Sequence, residues 1–272
     1  MKTKSFLCLI ALSLSSFSFA ESTATISEQL KPFNNVRVSM QRMLRSADNR
    51  YFLDLYAGIW NPHGTLKDLT ENKSIAFKGI QRGNLLNLKS VSVDSSDETV
   101  TQYTLDGNLN ANTGELSAVL STIDGSLKNK IEFEPAFKVV DKPIIIFKFY
   151  GNEDTQQASG KVLKRVDIIN KTDNTILQSL TGFNAFSNSI GFLDINFDGY
   201  YDVVLSDLSE GKKIEDKHFI YWMYNPKTKQ FQRSPQLEKI TGFPTLHGEN
   251  QQIDFGDGQL YQVEKGLLNR IQ

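Results

Sequence analysis

The 272-residue sequence holds one cysteine, Cys8, and it lies within the first twenty residues. A chain cleaved after residue 20 would carry no disulfide, no thiol nucleophile and no thiolate metal site. Histidine is scarce too. His63, His218 and His247 stand alone, with no H-E-x-x-H arrangement, and each reads as an ordinary turn or strand residue. No G-x-S-x-G elbow, P-loop or G-x-G-x-x-G occurs. An excess of positive charge is also missing. The formal net charge is −1, and removal of Lys2 and Lys4 with the leader takes it to −3. That balance excludes a general nucleic-acid binder, whose footprint is a basic patch. Beyond the first twenty residues, no apolar run is long enough to span a bilayer as a helix.

Little remains for catalysis. Ser209 and Lys212 fit S-x-x-K, yet they fall in a polar turn without the companion motifs of acyl-serine enzymes. Glu132 and Glu134 alternate on one strand face, as paired glycosidase carboxylates could, but this is the usual pattern of a solvated face. The sequence does not read as an enzyme.

Residues 1–20 have the make-up of an export signal: Lys2 and Lys4, an apolar run over 6–14, then Ser18-Phe19-Ala20 before Glu21. Cleavage is expected after Ala20. Ser5-Phe6-Leu7 lacks the small residue that lipoprotein processing needs before Cys8, so no lipid anchor is expected. The expectation is a soluble, periplasmic product without a membrane span.

Residues 21–50 form a leader with helical leanings. Ile26, Leu30 and Phe33, then Met40, Met43 and Leu44, recur at three or four, interrupted by Pro32. A short helix or an irregular entry is predicted there. From residue 51 the pattern is of strands: 51–60, 74–80, 85–93, 100–109, 115–122, 129–137, 143–150, 161–169, 175–182, 201–208, 218–224, 230–233, 252–255 and 259–263. Asp106-Gly107 and Asp124-Gly125 are common hairpin signals, and 110–114 and 170–174 read as turns. Residues 51–272 are therefore expected to form one all-β domain, an antiparallel meander with 135–143 as a possible seam. Sandwich, barrel and propeller are all open on the strands alone. Propeller blades of ~40–45 residues would leave room for about five.

The most specific signal is D-I-N-F-D-G-Y-Y-D. Asp194, Asn196, Asp198 and Asp202 put oxygen-bearing side chains at loop positions 1, 3, 5 and 9. Gly199 stands at the sharp turn, and position 7 would add the carbonyl of Tyr200. Calcium is a hard ion that takes six to eight oxygens, so this spacing points to a Ca2+ loop. Leu205 at position 12 rules out an EF-hand, which needs a bidentate Glu there. The apolar flanks suggest a structural ion tied into a core.

That loop, with the aromatic strand ending Tyr224-Asn225-Pro226-Lys227-Thr228-Lys229 and then Phe231, resembles a family of Gram-negative periplasmic proteins. The family includes inhibitors and immunity proteins against peptidoglycan-cleaving, lysozyme-like toxins delivered by contact-dependent secretion systems. The resemblance covers about a sixth of the chain. It implies a β-propeller-like all-β fold, bound calcium and a protein partner, the cell-wall hydrolase. Lysozyme inhibitors of several kinds present an S-G-x-Y loop to the enzyme cleft. Ser159-Gly160-Lys161 matches its start, with Val162 in place of the tyrosine. The rival expectations are a two-sheet sandwich for the fold, and for function an envelope protein that binds glycan or peptidoglycan, or scaffolds other proteins. Trp60, Tyr150 and Trp222 are the aromatics that could stack on sugars.

Overall fold

The computed structural model describes residues 29–58, 60–91, 102–155, 157 and 160–272. The expected export signal, the leader up to residue 28 and Ser159 lie outside the described residues. Among the described residues every regular element is a strand, apart from short 3-10 turns at Ser209–Gly211, Ile214–Asp216 and Leu237–Lys239. No helix among them is long and apolar enough to cross a membrane.

A short edge strand, β1 (Lys31–Phe33), comes first. An up-and-down antiparallel series follows: β2 (Arg37–Ser46), β3 (Tyr51–Ala57), β4 (His63–Asp68), β5 (Lys73–Arg82), β6 (Leu85–Val91), β7 (Tyr103–Leu109), β8 (Leu116–Thr122) and β9 (Lys128–Pro135). β9 then returns to β2, with Leu44 opposite Pro135 and Ser46 opposite Phe133, and closes an eight-strand barrel. Alternation fills the interior. In β6, Leu86 and Leu88 point inward and are fully buried, while Asn87 and Lys89 face out. Leu53, Leu55, Leu105 and Phe77 meet them, so the barrel is packed rather than hollow.

Two expectations are corrected here. The described part of the leader, 29–50, is not helical: 37–46 is a barrel strand. Leu44 points into the barrel while Met43 packs outward on Phe52, so both faces of β2 are buried and the alternation that marks a strand is erased. The Met40, Met43, Leu44 spacing then imitates a helix. Asp106-Gly107 is not a turn but lies inside β7; the chain reverses at 110–114. A Cβ at Gly107 would stand 2.7 Å from the Ser117 carbonyl oxygen, so the glycine permits close approach of β8.

The second half builds two further sheets and extends the barrel sheet by four strands. β10 (Ile145–Glu153), β11 (Lys161–Asn170) and β12 (Ile176–Leu180) pair in order behind β1, and β13 (Ala185–Phe186) adds to β11. β14 (Ser189–Leu193), β15 (Asp202–Ser206), β16 (Phe219–Asn225) and β17 (Gln230–Arg233) form a meander. β14 runs parallel to the first half of β2, with Ser189 opposite Arg37 and Phe192 opposite Met40. The last sheet holds β18 (Thr245–His247), β19 (Gln252–Asp254), β20 (Leu260–Glu264) and β21 (Leu267–Arg270).

The β14–β17 meander is apolar on both faces. Ile220 and Tyr224 pack with Val166, Ile168 and Phe149 on one side. Tyr221 and Val204 pack with Ile253, Phe255 and the barrel's outer Phe52 on the other. The all-β class therefore holds. The propeller-like and two-sheet expectations both lack the closed barrel, which depends on a pairing between the two ends of the series.

Candidate metal centre

The D-I-N-F-D-G-Y-Y-D loop leaves the end of β14 and enters β15. It is drawn tight by its own side chains. Asp194, only 3% exposed, accepts the Asp198 N–H at 3.0 Å on Oδ1 and the Gly199 N–H at 2.9 Å on Oδ2. Asp198 accepts the Tyr200 N–H at 2.9 Å and the Asn196 side-chain N–H at 2.9 Å. Gly199 sits at φ +89°, where a Cβ would lie 2.8 Å from Val139 Cγ1 and 3.0 Å from the Phe137 carbonyl oxygen. Phe197 also adopts a left-handed φ of 56°; its buried ring packs on Phe137 at 5.4 Å.

Asp202 has a different task. It is 1% exposed; Oδ2 accepts the Ile195 N–H at 3.0 Å and Oδ1 the Tyr224 N–H at 2.8 Å. One carboxylate thus ties both ends of the loop to β16. The Tyr200 hydroxyl donates to the Asp141 carboxylate. Lys142, from the same crossing segment, lies 3.6 Å over the Tyr201 ring and faces the charges of Asp194 and Asp198.

The electrostatics are those of negative charge out of water. Burial pushes the Asp194 carboxyl up to about 7, and neighbouring Asp198 adds to the rise. Burial lifts Asp202 well above the usual carboxylate range, against the pull of its two backbone N–H donors. Burial likewise lowers Lys142 to about 8, although Asp194 favours its charged form.

The donor set is of the type calcium takes. Each carboxylate oxygen has two lone pairs, so one accepted N–H leaves capacity for a cation. The Asn196 Oδ1 is buried without any partner, an acceptor lacking its donor or ion. Among the described residues, no three His, Cys, Asp or Glu side chains converge to hold a metal by themselves. Any ion held here would need the amide oxygen of Asn196 and the Tyr200 carbonyl beside Asp194, Asp198 and Asp202.

The other candidates are dispersed. Gly160 (φ 66°) closes the β10–β11 turn, its N–H bonded to Gln157, and Lys161 opens β11. Val162, at the tyrosine position of the S-G-x-Y pattern, is buried at 4%. This turn and the Asp194–Asp202 loop sit on different sheets. Lys212 is paired with Asp207 at 2.9 Å, which also accepts the Ser209 N–H, so the lysine is engaged as an ion partner. Glu132 bonds Lys130 and Ser117, whereas Glu134 bonds Lys138. His63 stacks on Tyr56 at 4.8 Å. Trp222 packs into the core, Tyr150 lies under Arg165 at 4.0 Å, and Trp60 is 53% exposed.

One cluster escaped the sequence reading. Asp54 on β3, Lys67 on β4 and Glu249 before β19 meet between the barrel wall and the last sheet. Lys67 lies 3.8 Å from Asp54 and bonds the Glu249 carboxylate, leaving Asp54 Oδ1 and Glu249 Oε2 buried without hydrogen bonds. A lone charge within Y-F-L-D-L-Y-A was the available signal. Compared with models of known protein families and with curated proteins, the chain matches none.

Proposed function

We propose that this chain is an exported, calcium-stabilised binding protein that inhibits, or confers immunity to, a secreted peptidoglycan-degrading enzyme of the lysozyme type. The observation that carries the reading is the loop at Asp194, Asn196, Asp198, Tyr200 and Asp202, cross-braced to β16 and holding an orphaned buried amide oxygen. In the finer fold reading, the β14–β17 meander and the five-strand and four-strand sheets packed on its two faces are blade-like units attached to the barrel. Export through residues 1–20, cleavage after Ala20 and a periplasmic location belong to the same proposal.

Inhibition needs no chemistry from the inhibitor; a rigid surface that fills the hydrolase cleft suffices, and preorganisation lowers the entropy loss on association. Calcium would hold the loop's carboxylates together and offset their mutual repulsion. The mature chain should inhibit wall hydrolysis by a lysozyme-type enzyme, measured as slower clearing of a peptidoglycan suspension. Undiminished clearing, together with retention of the chain on peptidoglycan alone, would favour the glycan-binding alternative instead.

The metal has its own test. At roughly 1 mM calcium and a dissociation constant of ~0.1 mM, binding stabilises the fold by about 1.4 kcal/mol. A chelator should lower the melting temperature and excess calcium should restore it. Superimposable melting curves would remove the ion from the account.

A further inference from the structure

Between the first half of β2 and β10 runs a cleft of ≈ 490 Å³, within the range of small-ligand sites. Val36, Val38, Met40, Ile145, Phe147 and Phe192 form its apolar side, while Asn112, Thr113, Lys171 and the Tyr201 hydroxyl are its polar lining. Its mouth is apolar as well: Ile144 is 46% exposed and Ile146 36%. Three cations line the cleft, Arg42, Lys142 and Lys171, the last donating to Asn112 Oδ1 at 3.3 Å. Arg42 is 6% exposed, and one guanidinium nitrogen bonds the Ala111 carbonyl at 2.7 Å. Its Nε is buried without a partner, and no ion pair among the described residues includes it. Lys142 is the second cation, with Asp194 and Asp198 facing it.

A buried guanidinium N–H without an acceptor is rare, because it forfeits a hydrogen bond to water and gains none. An apolar channel that ends on such a donor is complementary to a ligand with one anionic head and an aliphatic body. The one unpartnered guanidinium N–H beside an apolar wall suits a singly charged carboxylate better than a doubly charged phosphate. We propose that this cleft binds a fatty-acid-type ligand, a straight-chain monocarboxylate whose head meets Arg42 and Lys142 and whose chain lies over Val38, Ile145 and Phe147. The site is independent of hydrolase inhibition and would add a lipid-binding activity to the protein.

Calorimetry with dodecanoate, below its micelle concentration, tests this on the mature chain. Saturable binding of one molecule per chain and a raised melting temperature are expected, with dodecanol binding far more weakly. Arg42→Gln should weaken dodecanoate at least about tenfold, as expected when a buried charge partner is lost. Because Arg42 is buried, Ile146→Glu on the rim provides a second variant; its like charge beside the chain path should weaken binding about tenfold without touching the core. Absence of saturable heat, equal affinity for dodecanol, or indifference to both variants would overturn the proposal. Tighter binding of an apolar peptide with a free terminal carboxylate would overturn it in favour of a protein C terminus.

Discussion

Asp202→Ala should destabilise the protein by about 3–5 kcal/mol, in the presence or absence of calcium, because it strands two buried N–H groups worth roughly 1–3 kcal/mol each. Those donors are Ile195 at 3.0 Å and Tyr224 at 2.8 Å, and water cannot replace the carboxylate at a position 1% exposed. Asp198→Ala provides the contrast. Asp198 is exposed, and its bonds lie within the loop. Its removal should matter with calcium present and much less in chelator. Urea unfolding of both variants, each with and without the ion, separates a brace from a ligand. If the Asp202 variant matched wild type in chelator, the bracing role would be wrong.

The second large effect is a gain. Asp54→Asn should stabilise the protein by at most about 4 kcal/mol at pH 8, and by less than about 1 kcal/mol at pH 4. Burial pushes the Asp54 carboxyl up to about 7, Lys67 pulls it down and Glu249 pushes it further up. Gln41 and Tyr56 are its other polar neighbours. In the unfolded chain the group ionises near pH 4; in the fold it stays neutral until about pH 7. The stability it contributes is complete below about pH 4 and is lost as pH rises to about 7. Asparagine mimics the neutral form at every pH, and Lys67 keeps Glu249. Chemical unfolding from pH 4 to 8 should show the variant and wild-type curves diverging upward; parallel curves would mean that Asp54 ionises in the fold at ordinary pH.

What could be read from the chain follows how local each signal is. β6 announces itself because one face is wet, as Leu86 and Leu88 alternate with Asn87 and Lys89. β2 does not, since barrel interior and outer core claim opposite faces of the same strand. Closure of the barrel rests on Leu44 meeting Pro135, a pairing with no neighbourhood cue. The tight turn at Asp194–Asp202 was legible because its polar residues are contiguous. Its surroundings were not: Asp141 and Lys142 arrive from the crossing after β9, and Tyr224 from β16. The Asp54 cluster depends on Glu249, 182 residues from Lys67, so only the fold could assemble it.

The double allegiance of β2 bears on how the chain is made. Once β9 meets β2 during folding, the barrel can close, yet the amide and carbonyl groups along Arg37–Met40 still await β14. Until Ser189 and its neighbours emerge, that half-strand is an open docking rail, the kind of unpaired border on which nascent chains stick to one another. The barrel then becomes the template on which the later sheets are laid down.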